Sequence, residues 1–83
     1  MSKLRVDYDA QADAAYVYLT VAPHAYTEEM DSRRIVDRAE DGSAIGVEFL
    51  YASKGIDLHD LPNAGQIEKA LHESGHKLRI LTA

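Results

Sequence analysis

The chain has 83 residues, of which 46% are hydrophobic and 28% charged, with a net charge of −5 and no cysteine. This length allows one domain, residues 1–83, and the composition is typical of a folded globular protein rather than a disordered tail. The absence of cysteine excludes disulfides and thiolate metal sites, and the acidic balance argues against nucleic acid as a partner. The first ten residues lack the apolar run of a signal peptide, and no stretch reaches the roughly 20 apolar residues that span a bilayer. We therefore expect a cytoplasmic prokaryotic protein with no membrane partner.

Two strands are predicted at the start of the chain. Apolar and polar residues alternate from Leu4 to Tyr8, which is the period of a half-buried strand. Asp9 and Asp13 then flank a short polar link and suit a tight hairpin, because Asp side chains bond nearby backbone amides in turns. The next stretch, AAYVYLTV, predicts a second strand that ends before Pro23.

Two further strands are predicted before residue 52. The segment AYTEEMDSRRIVDRAEDG indicates a third strand with a bend near Asp31 and Ser32. Asp41 and Gly42 are typical of a hairpin turn, and the alternation in IGVEFLY predicts the fourth strand after it. Because consecutive strands joined by short links tend to pair, residues 1–52 are predicted to form a four-stranded antiparallel meander.

The last third of the chain predicts a connector over residues 53–62, a helix over 63–75 and a short strand over 77–82. Asn63 suits the N-cap, with a glutamine three residues later to complete a capping box, and Gly75 suits the C-cap. A stripe of apolar residues recurs at helical spacing, namely Ala64, Ile67, Ala70 and Leu71. The predicted fold is therefore α+β, an antiparallel meander with one C-terminal α-helix packed on one face and a short final strand.

Residues 72–76 read HESGH and match H-E-x-x-H, the signature of zinc metalloproteases. That chemistry needs both histidines on one continuous helix, together with a third ligand. If the helix ends at Gly75, His76 lies beyond it. If the helix continues to Thr82, both histidines project to the solvated side. We therefore expect no catalytic residue and no cofactor, and His72 and His76 stay as the candidates for a metal site.

The second predicted strand is apolar on both faces, so Tyr16 and Tyr18 are expected to face away from the helix. Tyrosine is enriched at protein interfaces, although cross-strand pairing alone also accounts for both rings. Glu48 lies beside Leu50 on the second face of its strand, and is either a solvent-facing glutamate or an acid in an interface. These four residues are the interface candidates. A solvated strand face accounts for the local cluster of basic residues, which are Arg33, Arg34 and Arg38.

Three stretches carry a family resemblance, YDAQADAAYVYL, TEEMD and IVDRAEDGSAIGVEFLYAS. Together they cover roughly residues 6–53 and resemble the small prokaryotic family called domain of unknown function 2283. The matching positions are Asp9, Ala12, Asp13, Ala14, Tyr16, Leu19, Thr27, Glu28, Asp37, Asp41, Gly42, Gly46, Glu48 and Ser53. Arg38, Ala39 and Tyr51 depart from the pattern of the family. The resemblance implies a compact α+β fold and no activity.

The hypothesis that the sequence favours is a non-catalytic structural or protein-interaction module. A domain of this size gains stability by association, so we expect a homodimer through the Tyr16 and Tyr18 face or through an edge strand. The alternative is an acidic, antitoxin-like subunit that binds a small basic protein. A zinc hydrolase that uses HESGH is the third hypothesis.

Overall fold

The sheet of this protein has five strands, one more than the sequence predicts. The structure is a computed structural model and describes residues 4–81. Within this range an antiparallel sheet is built from β1 (Val6–Asp9), β2 (Ala14–Tyr18), β3 (Tyr26–Glu29), β4 (Arg34–Arg38) and β5 (Ala44–Leu50). The α+β class is thus confirmed. Residues 1–3 and 82–83, which include the last residue of the predicted final strand, lie outside the described residues.

The predicted bend at Asp31 and Ser32 is a hairpin turn that separates β3 from β4. The Asp31 carboxylate accepts a hydrogen bond from the Arg33 amide at 2.9 Å. The Met30 amide donates to the Arg34 carbonyl at 2.9 Å and closes the hairpin. An Asp-Ser pair supports such a turn because the Asp side chain satisfies a backbone amide two residues on. The single third strand predicted from the sequence was therefore wrong.

The strand order, β1-β2-β5-β4-β3, also differs from a simple meander. β3, β4 and β5 pair in sequence, but β2 pairs with β5, where Val17 lies opposite Val47. β2 and β5 carry four of the five buried apolar residues of the sheet strands, and each has a neighbouring strand on both sides. β3 is exposed along its whole length and lies at an edge. The sequence predicts that each strand pairs with the next, and this is wrong only for β2, which pairs with β5 instead of β3.

The core lies between the inner face of the sheet and α1 (Ala64–Glu73). The helix contributes Ile67, Ala70 and Leu71, all buried, as its apolar spacing predicts. The buried residues of the sheet alternate along their strands and are Ala15, Val17, Val36, Val47 and Phe49. Each large side chain buried in this way contributes about 1.5–3 kcal/mol to folding. The burial of one sheet face leaves the opposite face to solvent.

The helix begins as predicted at Asn63, but the capping box does not form. Asn63 has a φ of 59° and makes no side-chain cap bond. Its Nδ2 donates to the Gln66 Oε1 at 2.6 Å, so the two side chains bond each other rather than the backbone. A capping side chain reaches the amides of the first turn from an extended backbone, and the left-handed conformation of Asn63 removes that geometry.

The predicted connector begins inside a 3₁₀ turn, Ala52–Lys54, and contains a strand, β6 (Ile56–Asp57). β6 pairs in parallel with β7 (Ile80–Leu81), so the predicted final strand exists but is short. Ile56 is fully buried and joins the core. This small parallel pair ties the end of the described chain to the region between the sheet and the helix.

Arg34 lies in the interior, contrary to the prediction of a solvated strand face. Its side chain is 10% exposed, and Nη2 donates to the Asp31 carboxylate at 2.8 Å. Nη1 donates to the carbonyls of Asp57 and His59. The guanidinium therefore holds the loop after β6 against β4. A buried arginine is tolerated because every side of its planar donor group meets an acceptor.

Candidate functional site

The face of the sheet opposite α1, here called the outer face, is the candidate site. Ala15 and Val17 of β2 are fully buried under the helix, and residues alternate in direction along a strand. Tyr16 and Tyr18 therefore point to the other side, as the sequence predicts. The strand registers place on this outer face the side chains or backbone of Asp7, Tyr16, Tyr18, Thr27, Ile35, Asp37, Gly46, Glu48 and Leu50. Arg5, whose carbonyl accepts a hydrogen bond from the Tyr18 amide at 2.9 Å, continues this side of the sheet.

Tyr16 is fixed at the centre of the outer face by Gly46 and Asp37. Its ring lies over Gly46, where an added Cβ would overlap it. Its hydroxyl donates to the Asp37 Oδ2 at 2.7 Å, across the space that Gly46 leaves open. Burial, and then the hydrogen bond to Asp37, raise the pKa of Tyr16 well above its ordinary value. The hydroxyl is therefore a fixed donor at neutral pH and is not a base or a nucleophile.

Asp37 extends this contact toward β3. Its Oδ1 accepts a hydrogen bond from the Thr27 hydroxyl at 2.8 Å. His24 Nε2 lies 2.8 Å from the Thr27 Oγ1 and 3.5 Å from the Asp37 Oδ1. The Thr27 hydroxyl already donates its proton to Asp37, so toward His24 it can only accept. The His24 Nε2 is therefore the donor in this pair. One hydrogen-bonded chain thus runs from Tyr16 on β2, past β4, to the segment before β3.

Two side chains hold Tyr18 in place, Asp7 on β1 and Arg5, which directly precedes β1. Its hydroxyl donates to the Asp7 Oδ2 at 3.0 Å, and the Arg5 Nε donates to the Asp7 Oδ1 at 3.0 Å. The Arg5 guanidinium lies 4.9 Å from the centre of the Tyr18 ring, within range of a cation–π contact. Hydrogen bonds from Arg5 and Tyr18 lower the pKa of Asp7. The ring centres of Tyr16 and Tyr18 are 4.7 Å apart, so both tyrosines form one cluster.

Glu48 and Leu50 lie on β5 beside this cluster. Glu48 stands opposite Tyr16 on one side and Ile35 on the other, and Leu50 stands opposite Ala14. Both side chains are half-buried. The structure thus brings the four interface candidates together on one face, with Glu48 between two uncharged neighbours.

Asp13 belongs to a separate polar cluster at the far end of β2. Its carboxylate accepts hydrogen bonds from the Ser53 amide at 2.8 Å, the Ser53 hydroxyl at 2.7 Å and the Tyr8 hydroxyl at 2.9 Å. The bond from the Ser53 hydroxyl is the main reason that the pKa of Asp13 is lowered. This contact, here called the Asp13 tie, joins the β1–β2 turn to the 3₁₀ turn. Asp9 acts within the same turn, where it accepts from the Gln11 amide at 3.0 Å.

The turn between β4 and β5 is built by Asp41 and Gly42. Gly42 has a φ of 89°, which a residue with a side chain rarely adopts. The Asp41 Oδ1 accepts hydrogen bonds from the amide of Ser43 at 3.0 Å and from its hydroxyl at 2.7 Å. These contacts belong to the hairpin and do not extend to the outer face.

The HESGH stretch is not a continuous helix. The helix ends at Glu73, and Gly75 has a φ of 83°, so the chain turns away before His76. The alternative of a helix that continues toward the C-terminus is therefore wrong. His72 lies exposed in the last turn, with its Nε2 3.7 Å from Glu68. Across residues 4–81, no three His, Cys, Asp or Glu side chains lie together in a way that could hold a metal ion.

Sequence reasoning did not include Asp37, Thr27 and His24 among the site residues. In the sequence, Asp37 directly follows two apolar β-branched residues, Ile35 and Val36, and lies between two arginines. Its role depends on the register that sets it opposite Gly46 and on the bulge between Asp37 and Arg38. Neither the register nor the bulge follows from residue types alone.

The chain is similar to proteins whose descriptions give no activity. A family model described as Protein of unknown function (DUF2283) matches residues 5–53. The uncharacterized protein MJ0789 of Methanocaldococcus jannaschii is 33% identical to this chain in an alignment 88 positions long, gaps included, which covers 95% of this chain and 75% of that protein. No solved structure matches the chain. The matched stretch contains all five strands of the sheet and ends in the 3₁₀ turn, so the outer face lies inside it.

None of the helices in the part of the chain that the structure describes is long and apolar enough to cross a membrane.

Proposed function

Since the chain belongs to the family of proteins of unknown function DUF2283, and that description carries no activity, we propose its function from the geometry of the outer face. The chain is a non-catalytic protein-interaction module, and its outer face binds a partner surface that is rich in lysine or arginine. The observation that carries this proposal is an open, ordered face in which tyrosines are surrounded by carboxylates.

The outer face is open in the described part of the chain. The helix packs on the opposite side of the sheet, and Tyr18 is 39% exposed. Glu48 and Leu50 are half-buried by their neighbours in the sheet and still reach solvent. An exposed face with aromatic and aliphatic residues is the kind of surface that protein partners cover.

The tyrosine hydroxyls of the outer face already have acceptors, which lowers the cost of covering them. The hydroxyls of Tyr16 and Tyr18 donate to Asp37 and Asp7. A partner that excludes water from these groups leaves no donor without an acceptor. The rings are also fixed in advance, so binding loses less side-chain entropy than on a mobile surface.

Charge favours a basic partner over a second copy of the same face. Around the two tyrosines, the outer face carries the carboxylates of Asp7, Asp37 and Glu48 and the guanidinium of Arg5. The net charge of the whole chain is −5. Two copies packed face to face would bring these carboxylates together, which costs free energy at an interface. The acidic binding subunit, which was the alternative from sequence, therefore fits the outer face better than a face-to-face dimer.

The non-catalytic part of the proposal is supported by the state of the polar groups. The Tyr16 hydroxyl keeps its proton, as its raised pKa requires. The Ser53 hydroxyl donates its proton to a carboxylate rather than to a histidine that could act as a base. Nucleophilic catalysis needs a hydroxyl or thiol whose proton is removed by a base, whereas the Tyr16 and Ser53 hydroxyls keep their protons.

The test uses a tagged form of the protein, expressed in the organism that encodes it, and compares two charge-reversal variants. Glu48→Lys changes the outer face, and Glu73→Lys makes the same change on the exposed end of the helix. Proteins retained by the unchanged chain are identified, purified and titrated by calorimetry. We expect a basic partner that binds Glu73→Lys normally and Glu48→Lys about tenfold or more weakly.

Three outcomes contradict the proposal. Equal loss of binding in both variants assigns the binding to overall charge, and equal retention shows that the outer face is not the contact surface. Failure to recover any basic partner that binds the purified chain also overturns it. Circular dichroism of both variants verifies that each is folded.

A further inference from the structure

We propose that a second copy of this chain pairs with the open edge of β3. The two β3 strands lie antiparallel about a two-fold axis at Thr27, and the two sheets become one continuous sheet. This contact goes beyond the partner site, because it uses the strand edge and leaves both outer faces uncovered. A homodimer through an edge strand is one of the two arrangements that the sequence left open.

β3 is the exposed edge of the sheet. All four of its residues are exposed, whereas three of the four residues of β1 at the opposite edge are half-buried. The Met30 amide donates to the Arg34 carbonyl of β4, and residues on an antiparallel strand bond alternately to each side. The N–H and C=O groups of Thr27 and Glu29 therefore face away from β4. Such a row of backbone groups is a template for another strand.

An exposed aromatic side chain lies on the same edge strand. Tyr26 of β3 is 47% exposed. Apolar groups exposed beside unpaired backbone are covered when a strand is added. The exposure is thus explained by an interface at this edge.

The residues of β3 favour one register of self-pairing. An axis at Glu28 would place two glutamates directly opposite each other, which is destabilising. An axis at Thr27 pairs Thr27 with its own copy, sets Glu28 opposite Tyr26 and sets Glu29 opposite Ala25. This register sets the outward-facing N–H and C=O groups of Thr27 against those of the second Thr27, and a pair of β-branched residues lies at its centre. The Ala25 amide donates to the Arg38 carbonyl of β4 at 2.9 Å, so at the Glu29–Ala25 pair it is the Glu29 amide that donates across the edge.

Of the two glutamates of β3, Glu28 is compensated within each copy, and Glu29 lies opposite an alanine of the second copy. Glu28 accepts a hydrogen bond from the Arg38 Nε at 2.8 Å. A neutralised glutamate next to a tyrosine does not oppose the approach of a second strand. Because the contact is a short strand pair, we expect a dimer of micromolar affinity or weaker.

The register is tested by cysteine crosslinking in a chain that has no natural cysteine. In the Thr27→Cys protein the two Cα atoms lie about 5.5 Å apart across the axis, which a disulfide can bridge. In the Glu29→Cys protein, on the same strand and face, the two cysteines are separated by about 13 Å. We expect mild oxidation to convert most Thr27→Cys to a disulfide dimer and to leave Glu29→Cys largely monomeric.

Equal crosslinking of both variants, or of neither, would overturn the register. A second experiment tests the edge itself by sedimentation equilibrium. Thr27→Pro removes an amide that faces the open edge, while Thr27→Val keeps that amide and removes the hydroxyl. The unchanged chain and Thr27→Val should be dimeric, and Thr27→Pro monomeric with an unchanged circular dichroism spectrum. A dimeric Thr27→Pro, or an unchanged chain that is monomeric at every concentration, contradicts the proposal.

Discussion

At position 46 the sheet has room for a hydrogen atom but not for a methyl group, because the Tyr16 ring lies over this backbone. We predict that Gly46→Ala lowers the free energy of unfolding by about 1–3 kcal/mol, since the ring must leave its rotamer. Urea denaturation measures this cost. Gly65→Ala is the control, because a Cβ at position 65 meets no atom within 4 Å. That change in the helix should be neutral or stabilising by up to about 1 kcal/mol.

The same substitution in a Tyr16→Ala background tests the cause. Once the ring is absent, Gly46→Ala should cost little, and an undiminished cost would show that the ring is not the obstacle. The sequence predicts that Tyr16 faces away from the helix, since alternation along β2 is sufficient for that. It does not predict the contact among Tyr16, Gly46 and Asp37. That contact joins three strands, and their registers follow from tertiary packing rather than from local pattern.

The elements are joined at the Asp13 tie, which links the β1–β2 turn to the 3₁₀ turn. Hydrogen bonds from Ser53 hold the pKa of Asp13 below its ordinary value in the folded state. A depressed pKa means that the carboxylate stabilises the fold above its unfolded pKa, and that this stability is lost as pH falls through the folded value. We predict that Asp13→Asn lowers the urea midpoint at pH 7, and that the difference from the unchanged chain shrinks below about pH 4.

Asp60→Asn is the matched control for this measurement. Asp60 has a left-handed φ of 60°, close to the 54° of Asp13, but its carboxylate pairs with His59. The control should show a small effect at both pH values. A difference for Asp13→Asn that persists undiminished in acid would mean that its carboxylate is not the stabilising group.

The elements themselves were largely predictable where the pattern is local. Period-two alternation and the Asp-Gly turn give the strands around residue 42, and the apolar stripe gives the helix. At Asp31 and Ser32 the sequence predicts a bend rather than a hairpin, because β3 has no buried side chain that would mark it as a separate strand. The pairing of β2 with β5 has no local signal, since it depends on which strands the core needs at its centre.

At the scale of the whole molecule, the two proposed contacts use different surfaces. The β3 edge joins two copies, and the outer faces of the joined sheets lie on one side of the assembly. An acidic surface of twice the area would then meet a basic partner. This arrangement adds affinity when the partner has two copies of its own basic surface, because the second contact forms within the complex.

Self-association makes stability depend on protein concentration. If folding is coupled to pairing at β3, each tenfold rise in protein concentration adds about 1.4 kcal/mol per dimer to the free energy of unfolding. We predict that the thermal midpoint of the unchanged chain rises over a concentration series, and that the midpoint of Thr27→Pro does not. Glu48→Lys should keep the rise, because Glu48 lies on the outer face and not at the edge. Calorimetry of the three proteins at matched concentrations decides between the surfaces. A rise that is lost in Glu48→Lys and kept in Thr27→Pro would place self-association on the outer face and contradict the edge dimer.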